Sequence, residues 1–291
     1  MGILAGSSTR VVVQGITGRE GSFHALRMMA YGTKVVAGVT PGKGGSDIDG
    51  IKVYDTVYEA MEAEGADASC IFAPAGSGAD AIAECIHDGM PLIVCITEGI
   101  PQMAVLKVLA EGERAGWRGR LVGPNGPGLV TVGEALIGIS PAGIFSKGRV
   151  GLVSRSGTLT YEIVDMLTKA GIGQTTCIGV GGDPIVGTTF TDCLRLFEDD
   201  PGTEAVVLIG EIGGSDEENA AKFLSGAPHK GVVAFISGRN APAGKKMGHA
   251  GAIIYGRTGS AQAKMEALKD AGVAVVDKLW EIPQALRRLG V

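Results

Sequence analysis

With 291 residues, 45% of them hydrophobic and 20% charged, the chain is too apolar to stay disordered, and the usual domain size of roughly 100–200 residues points to two domains. A formal net charge of −5 gives no general attraction to nucleic acid or to an anionic membrane, both of which favour basic surfaces. No apolar run reaches the roughly 18 residues of a membrane span, and residues 1–10 are too short and polar for a signal peptide. A cytoplasmic location is therefore expected, or the mitochondrial matrix for a mature chain.

Short β-branched runs alternate with helical patterns along the whole length, which predicts βαβ units and parallel sheets of the α/β class. In the first half, strands are expected at 10–13, 34–39, 69–72, 92–96 and 120–122, with helical patterns at 22–30, 79–87 and 103–113. The segment 123–149 is rich in Gly and Pro and admits no long periodic helix, so the join is placed near Gly128, dividing the chain into 1–128 and 129–291. The second half predicts strands near 150–153, 175–180, 205–209, 232–236 and 274–276. The five cysteines show no C-x-x-C and no zinc spacing, which predicts buried free thiols and no metal site in this chain.

The first strand runs into Gln14-Gly15-Ile16-Thr17-Gly18-Arg19-Glu20-Gly21, a turn that aims backbone N–H groups and a helix N-terminus at an anion. Its G-x-x-G-x-x-G spacing departs from the dinucleotide fingerprint, and a purely structural turn is the bland alternative. After the second strand, where an NAD site would carry an acid, Lys43 stands in Thr40-Pro41-Gly42-Lys43-Gly44-Gly45. A cation there suits a ligand with an extra phosphate, such as the 3′-phosphate of coenzyme A, and leaves NADP open. Ile96-Thr97-Glu98-Gly99 follows a further strand on the same edge, although Thr97 and Glu98 also suit an ordinary helix-capping turn.

In the second half, Ser154-Arg155-Ser156-Gly157-Thr158 leads from a strand into a helix at 159–169, offering another anion-binding helix end. Gly248-His249-Ala250-Gly251 sets one imidazole among small residues, where it is open to approach as a nucleophile. A lone histidine is more often structural, and His24, His87 and His229 take that reading. Glu211, at a strand end in Gly210-Glu211-Ile212-Gly213-Gly214, could hold one imidazole nitrogen as N–H and leave the other to attack phosphorus. A loop or capping carboxylate is the alternative for it.

Taken in order, these segments, with Gly123-Pro124-Asn125, Leu159-Thr160-Tyr161 and Gly181-Gly182-Asp183-Pro184, resemble the α subunits of succinate–CoA ligases across nearly the whole chain. The resemblance implies a Rossmann-like CoA-binding domain followed by a flavodoxin-like parallel α/β ligase domain. It implies that ATP or GTP, held with Mg by a separate β subunit of ATP-grasp fold in an αβ or (αβ)2 assembly, yields an acyl phosphate. The phosphoryl group passes between that anhydride and a histidine, and CoA attacks the acyl carbon, a reaction of the tricarboxylic acid cycle.

Mapped by motif, Thr17, Gly18, Arg19, Glu20, Lys43, Ile96, Thr97 and Glu98 would contact CoA, Arg19-Glu20 being a variable pair. His249 would be the phosphohistidine and Glu211 its orienting carboxylate. Tyr161 and Asn125 would lie near the acid, and Ser156, Gly157 and Thr158 would neutralise the phosphoryl charge. One departure is Gly126, where close family members carry Cys, so malate or citrate stands beside succinate as the acid. Readings of another class are an NAD(P)-dependent oxidoreductase and a non-catalytic CoA-binding module.

Overall fold

The computed structural model describes residues 2–226, 228–242, 244–254 and 259–291. The chain forms two compact units, one of Leu4–Ser140 with Ile185–Gly187, the other of Pro141–Pro184 and Thr188–Val291 with the chain start through Ile3.

The first unit runs β1 (Arg10–Gln14), α1 (Arg19–Tyr31), β2 (Lys34–Val39), β3 (Asp47–Ile48), β4 (Ile51–Tyr54), α2 (Val57–Glu64), β5 (Ala68–Ile71), α3 (Ala75–His87), β6 (Leu92–Cys95), α4 (Gln102–Arg114), β7 (Arg120–Val122), β8 (Gly128–Thr131) and β9 (Ala135–Gly138). Its main sheet is ordered β3-β4-β2-β1-β5-β6-β7, with only β3 antiparallel. Counting the parallel strands alone, this is the 3-2-1-4-5-6 order of dinucleotide-binding folds, whose ligand crevice opens where the order reverses, at the carboxyl ends of β1 and β5. Strands β5 and β6 are buried throughout, as parallel strands covered on both faces must be.

The residues of this unit run past Gly128 to Ser140 and so include the antiparallel β8–β9 hairpin. The Thr33 hydroxyl donates to the Leu136 carbonyl at 2.8 Å and accepts the Leu136 N–H at 2.9 Å, and the Thr131 hydroxyl donates to Ala5 O at 2.7 Å.

The second unit contains β10 (Lys147–Ser154), α5 (Gly157–Lys169), β11 (Gln174–Gly179), α6 (Phe190–Asp199), β12 (Ala205–Gly210), α7 (Asp216–Ser225), β13 (Gly231–Ile236), α8 (Ala261–Asp270), β14 (Ala274–Val276) and α9 (Ile282–Arg288). Its parallel strands lie in the order β14-β13-β12-β10-β11, which is the flavodoxin-like 2-1-3-4-5 arrangement. The order reverses between β10 and β12, so the loops at 155–156 and 211–215 face one crevice.

The ten strands expected from the sequence are present, with ends that agree to within a few residues. All five cysteines are buried free thiols, and burial pushes the Cys85 thiol up to about 12. Among the described residues no helix is long and apolar enough to cross a membrane.

Candidate active site

In the first unit, the residues expected to meet CoA all follow carboxyl ends of strands in one parallel sheet. Thr17 and Gly18 form the β1–α1 turn, with Gly18 as the N-cap of α1 and Arg19 and Glu20 its first two residues. The turn is closed so tightly that a Cβ on Gly21 would lie 2.3 Å from the Gly15 carbonyl oxygen. Glycine at 15 is needed for its φ of +76°. Backbone can therefore approach an anion here without side-chain obstruction, which fits a phosphate ligand.

The Thr17 and Thr40 hydroxyls lie 3.3 Å apart, tying this turn to the end of β2. Lys43 sits in the turn that follows, with its side chain exposed. That turn is pinned by the Ser46 hydroxyl donating to Lys43 O at 2.7 Å and by Gly44 N–H donating to Asp55 Oδ1 at 2.8 Å. Ile96 and Thr97 are half-buried after β6 and Glu98 is exposed. Thr97 does not cap α4, whose N-cap is Pro101. Its hydroxyl donates to Ala73 O at 2.7 Å and its carbonyl accepts from Asn125 N at 3.1 Å, so it joins three strand-end loops. Asn125 holds φ +56°, a left-handed conformation that asparagine tolerates better than most residues.

The second unit brings His249 and Glu211 together. The Nδ1 of His249 lies 2.8 Å from Glu211 Oε2, with the carboxylate buried and the imidazole side chain 29% exposed. A carboxylate accepts, so Nδ1 carries the proton, and in the neutral ring Nε2 then carries the lone pair. Glu211 follows β12, and Arg155, which follows the adjacent β10, puts its Nε 3.4 Å from Glu211 Oε1. Arg155 is itself 6% exposed, and its guanidinium also donates to the carbonyls of Gly213 and Asp183 at 3.4 Å each. One buried cation thus links the loops after three strands and balances the charge that orients the histidine.

The glycines around this site make room for it. A Cβ on Gly182 would fall 2.3 Å from the His249 ring, and one on Gly251 would fall 2.6 Å from Arg155 Nη2. Gly251 N–H donates to Gly182 O at 3.1 Å, fixing the histidine loop to the β11 loop. On the neighbouring strand end, Ser156 is the N-cap of α5 and its hydroxyl accepts from Leu159 N at 3.3 Å. Gly157 opens that helix, with Thr158 exposed after it, and Tyr161 is half-buried one turn on.

The other histidines lie elsewhere. His24 is buried and stacks on Phe72, His87 pairs with Asp88 at 2.9 Å, and the His229 Nδ1 lies 2.7 Å from Lys230 O. In the sequence Arg155 and Gly182 stand out only as members of Gly- and Ser-rich motifs, without a role of their own, and Glu217 and Lys264 not at all. For the last two a signal exists: each occupies the first or second apolar-face position of a helix whose other members at that spacing are Ala, Met or Leu.

Asp216, the first residue of α7, accepts the Phe190 N–H at 3.0 Å and so joins the starts of α6 and α7. Burial pushes its carboxyl up to about 6, with Glu217 adding to the rise and Arg155 and Lys264 opposing it. A raised carboxyl destabilises the folded state progressively as pH rises from the unfolded value near 3.8 to the folded value near 6, and in full above that. Asp216→Asn keeps an acceptor for Phe190 without the charge. It is expected to stabilise the protein by about 1–2 kcal/mol at pH 8, partial exposure and the α7 N-terminus tempering the larger value linkage alone would give. In thermal melts the gain should shrink steadily as pH falls from 6 towards 4.

The fold and site together define a CoA-binding unit joined to a CoA-ligase unit: the CoA binding domain family matches residues 6–99, and the CoA-ligase family matches residues 153–274. The chain is 54% identical over 290 residues to the succinate–CoA ligase [ADP-forming] subunit alpha 1 of Archaeoglobus fulgidus, covering 99% of this chain and 98% of that one. It is 52% identical over 289 residues to the corresponding subunit of Aquifex aeolicus, covering 99% and 95%. It therefore belongs to the family of α subunits of ADP-forming succinate–CoA ligases. Among solved structures, ATP citrate lyase of Methanosaeta concilii in complex with (3S)-citryl-CoA superposes with a TM-score of 0.88 at 25% identity. The match covers 99% of this chain, which spans 50% of that one.

Proposed function

We propose that this chain is the α subunit of an ADP- or GDP-forming acid–CoA ligase that makes a CoA thioester from succinate through a phosphohistidine at His249. The observation that carries the reading is the 2.8 Å contact of His249 Nδ1 with buried Glu211, which makes Nε2 the nucleophilic nitrogen. A carboxylate cannot expel oxide, so the acid must first become a mixed anhydride. Nε2 takes PO₃ from the nucleotide as the bond to the departing diphosphate breaks, then yields it to a carboxylate oxygen of the acid. The thiol of CoA attacks the acyl carbon and phosphate leaves.

Glu211 holds the imidazole tautomer, and the backbone N–H groups of Gly157 and Thr158 at the start of α5 meet the phosphoryl charge. Thr17 to Glu20, Lys43 and Ile96 to Glu98 bind CoA, and Asn125 and Tyr161 contact the acid. A β subunit of ATP-grasp fold supplies nucleotide and Mg, in an αβ or (αβ)2 assembly in the cytoplasm. A buried glycine at position 126 favours a second reading, in which a bulkier acid such as malate or citrate is used.

The test is CoA-thioester formation by this chain with its cognate β subunit across succinate, malate, citrate and glutarate. Succinate is expected to give the highest kcat/KM by at least about tenfold, the discrimination a well-fitted polar site achieves. Preference for malate or citrate would transfer the assignment to the second reading, and no thioester with any acid would overturn both.

A further inference from the structure

We propose that the buried Glu217–Lys264 ion pair is a positioning device for the histidine site, gripping the segment Glu211–Gly213 at both ends and so fixing the Glu211 carboxylate on His249. Both side chains are fully buried and in direct contact. The free Oε1 of Glu217 accepts the backbone N–H of Glu211 at 3.0 Å, while Lys264 Nζ donates to the Gly213 carbonyl at 2.5 Å. Lys264 Nζ also lies 4.0 Å from Glu218 Oε2, and the pair's hydrogen bonds beyond its own contact go to the residues that carry and follow the orienting carboxylate.

Stability alone does not account for the pair. Taking two charges out of water costs several kcal/mol each, and an apolar pair of similar volume is commonly as stable or more so. Both residues sit on apolar faces, Glu217 with Ala220, Ala221 and Leu224 on α7, and Lys264 with Ala261, Met265 and Leu268 on α8. The surroundings are shaped to admit them: a Cβ on Gly210 would lie 2.7 Å from Glu217 Cγ.

The gripped segment in turn touches the histidine loop. A Cβ on Gly213 would fall 1.9 Å from the Gly251 carbonyl oxygen, and the Gly213 N–H donates to Gly259 O at 2.7 Å. A displacement of Gly213 therefore moves the backbone two residues beyond His249 as well as the carboxylate that faces it. Lys264, on the helix after that loop, closes the circuit.

The inference rests on His249 being the phosphoryl acceptor, and the experiment separates the two. This chain and its cognate β subunit are given labelled ATP, and the rate of acid-labile label uptake per folded α subunit is measured for wild type, Glu217→Gln/Lys264→Met and Glu217→Met/Lys264→Met. The first variant keeps an acceptor for Glu211 and loses the grip on Gly213; the second loses both. Expected are a severalfold slowing in the first and at least about a tenfold slowing in the second, each with the KM for ATP unchanged. Side-chain ¹⁵N spectra should show the pure Nδ1–H tautomer of His249 in wild type and a mixture in the apolar variant.

A merely structural pair would alter melting temperature without moving either the rate per folded molecule or the tautomer. Wild-type speed and a wild-type tautomer in the apolar variant, or in Glu217→Gln/Lys264→Met if the apolar one does not fold, overturn the inference. Absence of label on the wild-type chain would instead overturn the role of His249.

Discussion

His249→Asn is expected to reduce transfer of labelled phosphate from ATP or GTP onto this chain, in the presence of its β subunit, by about 10³-fold or more. The reason is chemical. Asparagine can still donate a hydrogen bond from its amide to Glu211, so the charge network around Arg155 need not collapse. It has no nitrogen lone pair able to attack phosphorus, because the amide lone pair is delocalised into the carbonyl. The side chain is partly exposed, and no cavity of consequence opens when it is shortened. Thermal stability should therefore change little, and affinity for CoA, measured by calorimetry, should stay within about twofold, since the CoA contacts assigned here all lie in the other unit. Label that is acid-labile and base-stable in wild type and persists in the variant would transfer the phosphoryl acceptor to another residue.

The folding pattern was legible wherever burial dictates composition. Strands such as Ala205–Gly210 are covered on both faces and read as uninterrupted apolar runs, so ten of the eleven parallel strands could be found without tertiary information. The short parallel strand β4 and the small antiparallel additions were not. β3 and β4 are short, with alternating burial at most, and the polar Asp47 and Lys52 are directly paired across them. The β8–β9 hairpin lies in a Gly-rich stretch that also reads as a linker. At the site, the contact between His249 and Glu211 could be anticipated because each stands alone among glycines at a loop.

Arg155 and Lys264 were opaque for a different reason. Their roles depend on contacts with residues 58 and 51 positions away along the chain, and a single basic residue in a helix or loop ordinarily faces solvent. Thr97 shows the same limit from the other side. Its type suits a helix cap, and only the juxtaposition of loops at the sheet edge turns its hydroxyl to Ala73 instead.

Gly182→Ala tests the geometry of the site without replacing any reacting group. The backbone of Gly182 lies outside the left-handed region, so alanine is conformationally acceptable and the fold should survive. The new methyl, however, would stand 2.3 Å from His249 Cγ and 2.5 Å from its Nδ1, against the roughly 3.5–4.0 Å at which such atoms rest. The ring is the softer of the two bodies, because Gly182 O is bonded to Gly251 N and its neighbour Asp183 is held by Arg155. It must withdraw by about 1 Å or more, and the 2.8 Å bond to Glu211 cannot survive that movement. A misplacement of this size in a positioned nucleophile costs about 10²-fold in rate. Single-turnover phosphorylation should fall by that factor with little change in melting temperature, and the ¹⁵N signature of the Nδ1–H tautomer should be lost with it. An unchanged rate would mean that the imidazole reaches phosphorus from a position other than the one Glu211 holds.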